Sequence, residues 1–176
     1  MFDVDGTNIV LSRGDTGAIK MTANVTRRDT GEAYTFGERD RAVFSIKTAS
    51  GQIVKQISYQ MTDNVFTVIF MNQDTDQLAA GGYTWDVRYV INPYYAEDPP
   101  EGTWTPYDEL TFPVAKDTKC MHEGTYYIAT QDIAASEDFT PGHWYAADRR
   151  IPVDGDQVIT PNTPMSMNLL TVVGDI

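Results

Sequence analysis

The sequence predicts an all-β chain: an Ig-like antiparallel β-sandwich carrying an aromatic- and proline-rich β insertion or a small second β unit. Three observations predict it. Short runs of alternating apolar and polar residues recur about every 8–12 residues. Clusters of Gly, Asp, Asn and Ser separate them. No stretch sustains the 3.6-residue apolar period of a substantial helix.

The elements follow in order. Ile9-Val10-Leu11 is the first run, and Ser12-Arg13-Gly14-Asp15 turns it. Ile19, Met21, Ala23 and Val25 then alternate with Lys20, Thr22, Asn24 and Thr26, a strand with one wet face. Asp29-Thr30-Gly31 turns again, Val43 to Ile46 is a third strand, and Ser50-Gly51 leads into Ile53 to Ile57. In the run from Val65 to Met71 both faces are apolar or Thr, which predicts a central strand covered on each side. Asn72 to Ala80 is the one interruption, with Asp74 or Asp76 capping a short helical turn through Leu78-Ala79-Ala80 and Gly81-Gly82 stopping it. Tyr83, Trp85, Val87 and Tyr89 then share one face of a further strand.

From Pro93 onward the composition changes. All 9 prolines lie there, together with ten of the twenty aromatic residues between Tyr94 and Tyr145. Tyr107 to Val114 is expected as an edge strand because of Pro113, Gly124 to Ala129 as another strand, and Thr130 to Ala135 as one helical turn. Trp144-Tyr145 opens a short strand, and Met165 to Val173 is a last one. The preferred division is a sandwich of residues 1–92 plus 156–176, with 93–155 inserted as a small β sub-domain. The alternative is a sandwich of 1–115 and a second β unit of 116–176. The apolar run Leu169, Leu170, Val172 and Val173 favours the first, since it needs a sheet to cover it.

Length and charge narrow the function classes. A chain of 176 residues holds one domain, or one with a sizeable insertion. Its formal charge of -12 repels phosphate backbones and anionic lipids, so neither nucleic acid nor membrane is expected as a partner. The single cysteine, Cys120, excludes an internal disulfide. The N-terminal Met-Phe-Asp-Val-Asp-Gly lacks the basic and apolar regions of a signal peptide, so no export is expected.

No catalytic pattern stands out, and neither a cofactor nor a metal is expected. A Gly-x-Ser-x-Gly elbow is absent, and the two histidines are His122 and His143. Cys120, His122 and His143 lack the paired spacing of zinc sites and read as a half-buried thiol beside surface imidazoles. Asn72, Asp74 and Asp76 begin like a calcium loop, but Gln77 and Tyr83 stand where it needs Gly and Glu. Asp3-x-Asp5-Gly6 and Asp154-Gly155-Asp156 read as turns, and Asn24-Val25-Thr26 as plain strand. The aromatic residues are the candidate binding group: Tyr94, Tyr95, Trp104, Tyr107, Tyr127 and Trp144. They fit three roles, namely the core of a small sub-domain, a subunit interface, or a platform for sugar rings. Tyr126 and Tyr127 point to opposite faces of one strand, so at least one of them is structural.

Two local patterns resemble a known family. Residues 8–25, with the turn Arg13-Gly14-Asp15-Thr16 between two strands, resemble the start of the N-terminal domain of phage baseplate upper proteins and related prophage tail structural proteins. Gly82, Tyr83, Trp85, Asp86 and Val87 resemble that family's Gly-x-Tyr-x-(Trp/Tyr)-Asp-(Ile/Val) strand, and residues 160–176 are similar to its closing strand. The resemblance covers about 7–92 and 156–176 and leaves 93–155 aside. It implies a non-enzymatic structural module of a phage or prophage tail or baseplate. Such a module forms homo-oligomers, docks to neighbouring tail proteins, and resides in the virion or, when prophage-encoded, in the bacterial cytoplasm. The alternative expectation is a carbohydrate-binding module that recognises host surface glycans through exposed Trp and Tyr.

Overall fold

The computed structural model describes residues 2–61, 63–156, 159–161 and 168–173. The chain is an all-β sandwich with several antiparallel sheets. It divides into two compact units, one of residues 1–94 with 151–176 and one of residues 95–150.

In the larger unit the main sheet has the order β1-β2-β15-β8-β5-β6. These strands are β1 (Phe2–Asp5), β2 (Asn8–Ser12), β5 (Arg41–Lys47), β6 (Ile53–Gln60), β8 (Gly81–Tyr94) and β15 (Asn168–Val173). The short strand β13 (Asp154–Asp156) pairs with the far end of β8. All neighbours are antiparallel except β15 and β2, which run parallel. Two smaller pairs complete the unit: β3 (Gly17–Thr22) with β7 (Val65–Phe70), and β4 (Val25–Arg27) with β14 (Ile159–Pro161).

One core joins these layers. Ile9, Leu11, Ala42, Phe44, Ile46, Val87, Leu170 and Val172 from the main sheet cluster with Val25, Phe66, Val68 and Phe70. The alternation of β8 explains its place. Tyr83, Trp85, Val87, Tyr89 and Ile91 turn inward, and Trp85 stacks on Phe44 at 5.1 Å between ring centres.

Several sequence expectations change here. The β7 strand is covered on one face only: Phe66, Val68 and Phe70 are buried, whereas Thr67, Ile69 and Met71 are exposed. The helical turn is α1 (Asn72–Thr75), earlier than expected, and Gly81 already begins β8. The Asp74 carboxylate fixes that start, accepting the Met71 N–H at 3.0 Å and pairing with Lys55 at 3.2 Å. Asp3-Val4-Asp5 is strand up to Gly6, and Asp154-Gly155-Asp156 is strand too. Gly155 passes so close to the Ile91 carbonyl that a Cβ there would overlap it.

The Arg13-Gly14-Asp15-Thr16 turn is a structural corner. Asp15 Oδ2 accepts the Ser12 N–H at 2.9 Å, Asn72 Nδ2 donates to the Gly14 carbonyl at 2.8 Å, and Thr75 Oγ1 donates to the Asp15 carbonyl at 3.0 Å. Its residues are committed to joining β2 and β3.

The chain leaves the larger unit at Tyr94 and returns at Ile151. The two arms of this neck are tied together. The Val153 N–H donates to the Tyr94 carbonyl at 3.0 Å, Asn92 Nδ2 to Asp156 at 2.9 Å, and an Arg88 guanidinium nitrogen to the Pro152 carbonyl at 3.0 Å. Asn92 sits at φ 43°, and its N–H is received by buried Asp40 at 3.1 Å. Asp40 also accepts the Gly37 N–H at 2.8 Å and the Tyr34 hydroxyl at 3.1 Å. Burial of the Tyr34 phenol, and then this carboxylate beside it, push its pKa up to about 12.

The smaller unit has a four-stranded sheet, in the order β12 (Trp144–Ala146), β11 (Thr125–Ala129), β10 (Lys119–His122) and β9 (Thr105–Pro106). Tyr107 to Val114 is not an edge strand: Tyr107–Glu109 is a 3-10 turn, and Val114 forms an isolated bridge with Ile133. That bridge also replaces the helical turn expected over 130–135. The start of the closing strand, residues 165–167, lies outside the described residues.

Candidate functional site

The aromatic group of the smaller unit is distributed by strand parity. In β11, Tyr127 faces inward beside Thr125 and Ala129, while Tyr126 and Ile128 face outward. A hairpin turn at Glu123 and Gly124, both at positive φ, sets this register against β10.

The inward face is a core. Tyr127 is 3% exposed and Trp144 4% exposed, among Val114, Cys120, Ala129 and Ile133. Phe139 lies at the centre of the aromatic side of this core, 4.1 Å from the His122 ring, 4.7 Å from Tyr127 and 5.2 Å from Tyr107. Tyr107 meets Trp144 edge-on at 5.7 Å and donates its hydroxyl to the Glu137 carbonyl at 3.0 Å. Tyr107, Tyr127 and Trp144 therefore pack the unit and present no flat surface to a ligand.

The outward face carries a row of cations and rings. The Lys119 ammonium sits 5.1 Å from the centre of the Trp104 ring, and Trp104 meets Tyr126 edge-on at 5.1 Å. Arg150 lies 5.6 Å from Tyr126 and 4.1 Å from Tyr95. Trp104 Nε1 donates to the Pro100 carbonyl at 2.7 Å. Arg150 is fixed by Asp148, with Nε and a terminal nitrogen at 3.0 and 2.7 Å, and it also donates to the Glu97 carbonyl at 3.1 Å. Trp104 and Tyr95 are half-buried within this row, and Tyr94, in the larger unit, is the one sequence candidate that is fully open, at 57% exposure. Sequence reasoning missed Phe139 and Arg150. Phe139 is embedded in a turn-like Asp-Phe-Thr-Pro-Gly run, and a lone Arg carries no pattern.

The groups with potential chemistry are occupied structurally. Cys120 is fully buried, and burial pushes its thiol up to about 12, the opposite of an activated nucleophile. His143 Nδ1 pairs with Glu137 at 2.6 Å, while His122 stacks on Phe139. Among the described residues no group of three or more His, Cys, Asp or Glu is placed to hold a metal ion. Among these residues no helix is long and apolar enough to cross a membrane.

Exposed apolar side chains lie on the larger unit. Two strands, β1 and β6, end the main sheet. Ile53 and Val54 on β6 are 48% and 42% exposed. On β7, Ile69 and the following Met71 are each 46% exposed. No family model, curated protein or solved structure matches the chain.

Proposed function

We propose that the chain is a non-enzymatic structural or assembly module of a phage or prophage tail or baseplate, acting through contacts with further copies of itself and with neighbouring tail proteins. The observation that carries this reading is the open β6 edge with its exposed Ile53 and Val54, together with the exposed Ile69 of β7 and Met71 just after it. Unpaired sheet edges with apolar side chains are templates for pairing with another chain. The large negative charge keeps free subunits apart in solution before they assemble.

The family resemblance supports the tail assignment. Its Arg-Gly-Asp-Thr turn joins β2 to β3, and its Tyr-x-Trp-Asp strand is β8, the spine of the main sheet. The succession β15, β8, β5, β6, with β2 parallel to β15, supports the Ig-like reading, since it follows the G, F, C and C′ strands of a variable-type sheet. The proposed location is the virion or, when prophage-encoded, the bacterial cytoplasm.

Sedimentation of the full chain over a range of concentrations tests the contact surface. Self-association that Val54→Lys or Ile69→Lys abolishes is the expected result. A strict monomer that also fails to bind any tail component overturns the reading.

A further inference from the structure

The outer face of the main sheet holds a hollow that shares only Ile53 with the proposed contact surface. Strand register creates it. Ser45 of β5 lies opposite Gln56 of β6 on one side and Asp86 of β8 on the other, so the three form one cross-strand row. A serine between two longer side chains leaves a trough with Ser45, 3% exposed, in its floor. Lys47, Ile53, Val87 and Arg88 complete the lining of an open depression of about 340 Å³. That is at the lower end of the roughly 300–1,000 Å³ typical of small-molecule sites.

The polar groups of the trough are held in place yet keep unused capacity. Gln56 Nε2 donates to Ser45 Oγ at 3.1 Å, which fixes the amide and leaves Gln56 Oε1 as an acceptor. Lys47 pairs with Asp86 Oδ2, leaving Asp86 Oδ1 and further ammonium hydrogens as additional acceptor and donor groups. Arg88 is anchored by the Pro152 and Val153 carbonyls at 3.0 and 3.4 Å.

This arrangement selects a ligand class. Lys47 and Asp86 balance each other, and Arg88, met only by carbonyls, leaves one net positive charge in the lining, so a cation is disfavoured, and the polar floor does not suit an apolar molecule. Fixed acceptors alternating with donors suit groups that both donate and accept, which is the property of hydroxyls. Ile53, 48% exposed, adds an apolar wall for C–H surface. We propose that this trough binds a polyhydroxylated ligand, a monosaccharide or the terminal sugar of a glycan.

The site is separate from the aromatic residues, shares only Ile53 with the proposed contact edge and does not need the tail assignment, so each reading can fail alone. The test is amide chemical-shift mapping of the full chain against glucose, galactose, rhamnose and N-acetylglucosamine, each free and as its methyl glycoside. Saturable shifts at Ser45, Lys47, Gln56, Asp86 and Arg88 are expected for at least one sugar. Free sugar without the glycoside indicates a monosaccharide site; both together indicate a glycan end. Ser45→Leu, which fills the floor, and Gln56→Ala, which leaves the Lys47–Asp86 pair intact, should each weaken binding at least tenfold. No shift with any sugar, shifts elsewhere, or undiminished binding in both folded variants would overturn the proposal.

Discussion

The guanidinium carbon of Arg150 stands 4.1 Å from the centre of the Tyr95 ring, so the last residue of the smaller unit is stacked on its first. The same guanidinium is chelated by Asp148, whose side chain is 1% exposed, and it donates to the Glu97 carbonyl. A unit of 56 residues, with a modest core and no disulfide, gains from such a clasp. Arg150→Met leaves a buried carboxylate without its partner and should destabilise this unit by about 3 kcal/mol. Cys120 gives the measurement: its reaction with a thiol reagent, blocked by burial, should accelerate strongly in Arg150→Met and less in Arg150→Lys.

The buried thiol also sets a pH dependence. Its pKa is raised in the fold to about 12, so the folded state retains a proton that the unfolded chain releases at lower pH. The resulting stability is complete below the unfolded thiol value of about 8.5 and is lost as pH rises through the folded one. Denaturation of the smaller unit followed at pH 7 and pH 10 should show this loss in the native protein, and Cys120→Ala should remove most of it.

Asp40 fixes three separate backbone and side-chain donors where the neck leaves β8. Asp40→Ala leaves the Gly37 and Asn92 N–H groups and the Tyr34 hydroxyl without their acceptor, which should cost about 2–4 kcal/mol for bonds to a charged group. Trp85 fluorescence during urea denaturation reports it, because Trp85 stacks within the larger unit's core.

Gly17 is required by a close approach. A Cβ there would run into the Phe2 ring, which lies 6.0 Å from Phe70 and helps cover the core. Gly17→Ala should lower the thermal midpoint, and much less so in a Phe2→Ala background, a coupling that a double-mutant cycle measures directly.

Much of this architecture was legible because side-chain parity is strict in strands. The inward set Tyr83, Trp85, Val87 and Tyr89 could be read from alternation, and so could the opposed directions of Tyr126 and Tyr127. The β7 strand misled because Val65, Thr67 and Ile69 look like a second covered face, although no described element lies over Ile69. Asp-Gly pairs at Asp5-Gly6 and Asp154-Gly155 signal turns equally well when a strand runs up to or through them. The division of the aromatic residues between core and outer row was not legible. It depends on Phe139 and Arg150, which reach Tyr127 and Tyr95 from far along the chain.

The central proposal is that this chain works by docking to further copies of itself and to phage tail proteins. Its most direct test places a photo-cross-linking residue at position 54, on the open β6 edge, and analyses any phage particles purified from the organism that carries the gene. The account predicts that the protein is a component of the particle and that position 54 cross-links to a second copy or to a tail protein. Absence of the protein from purified particles would contradict it.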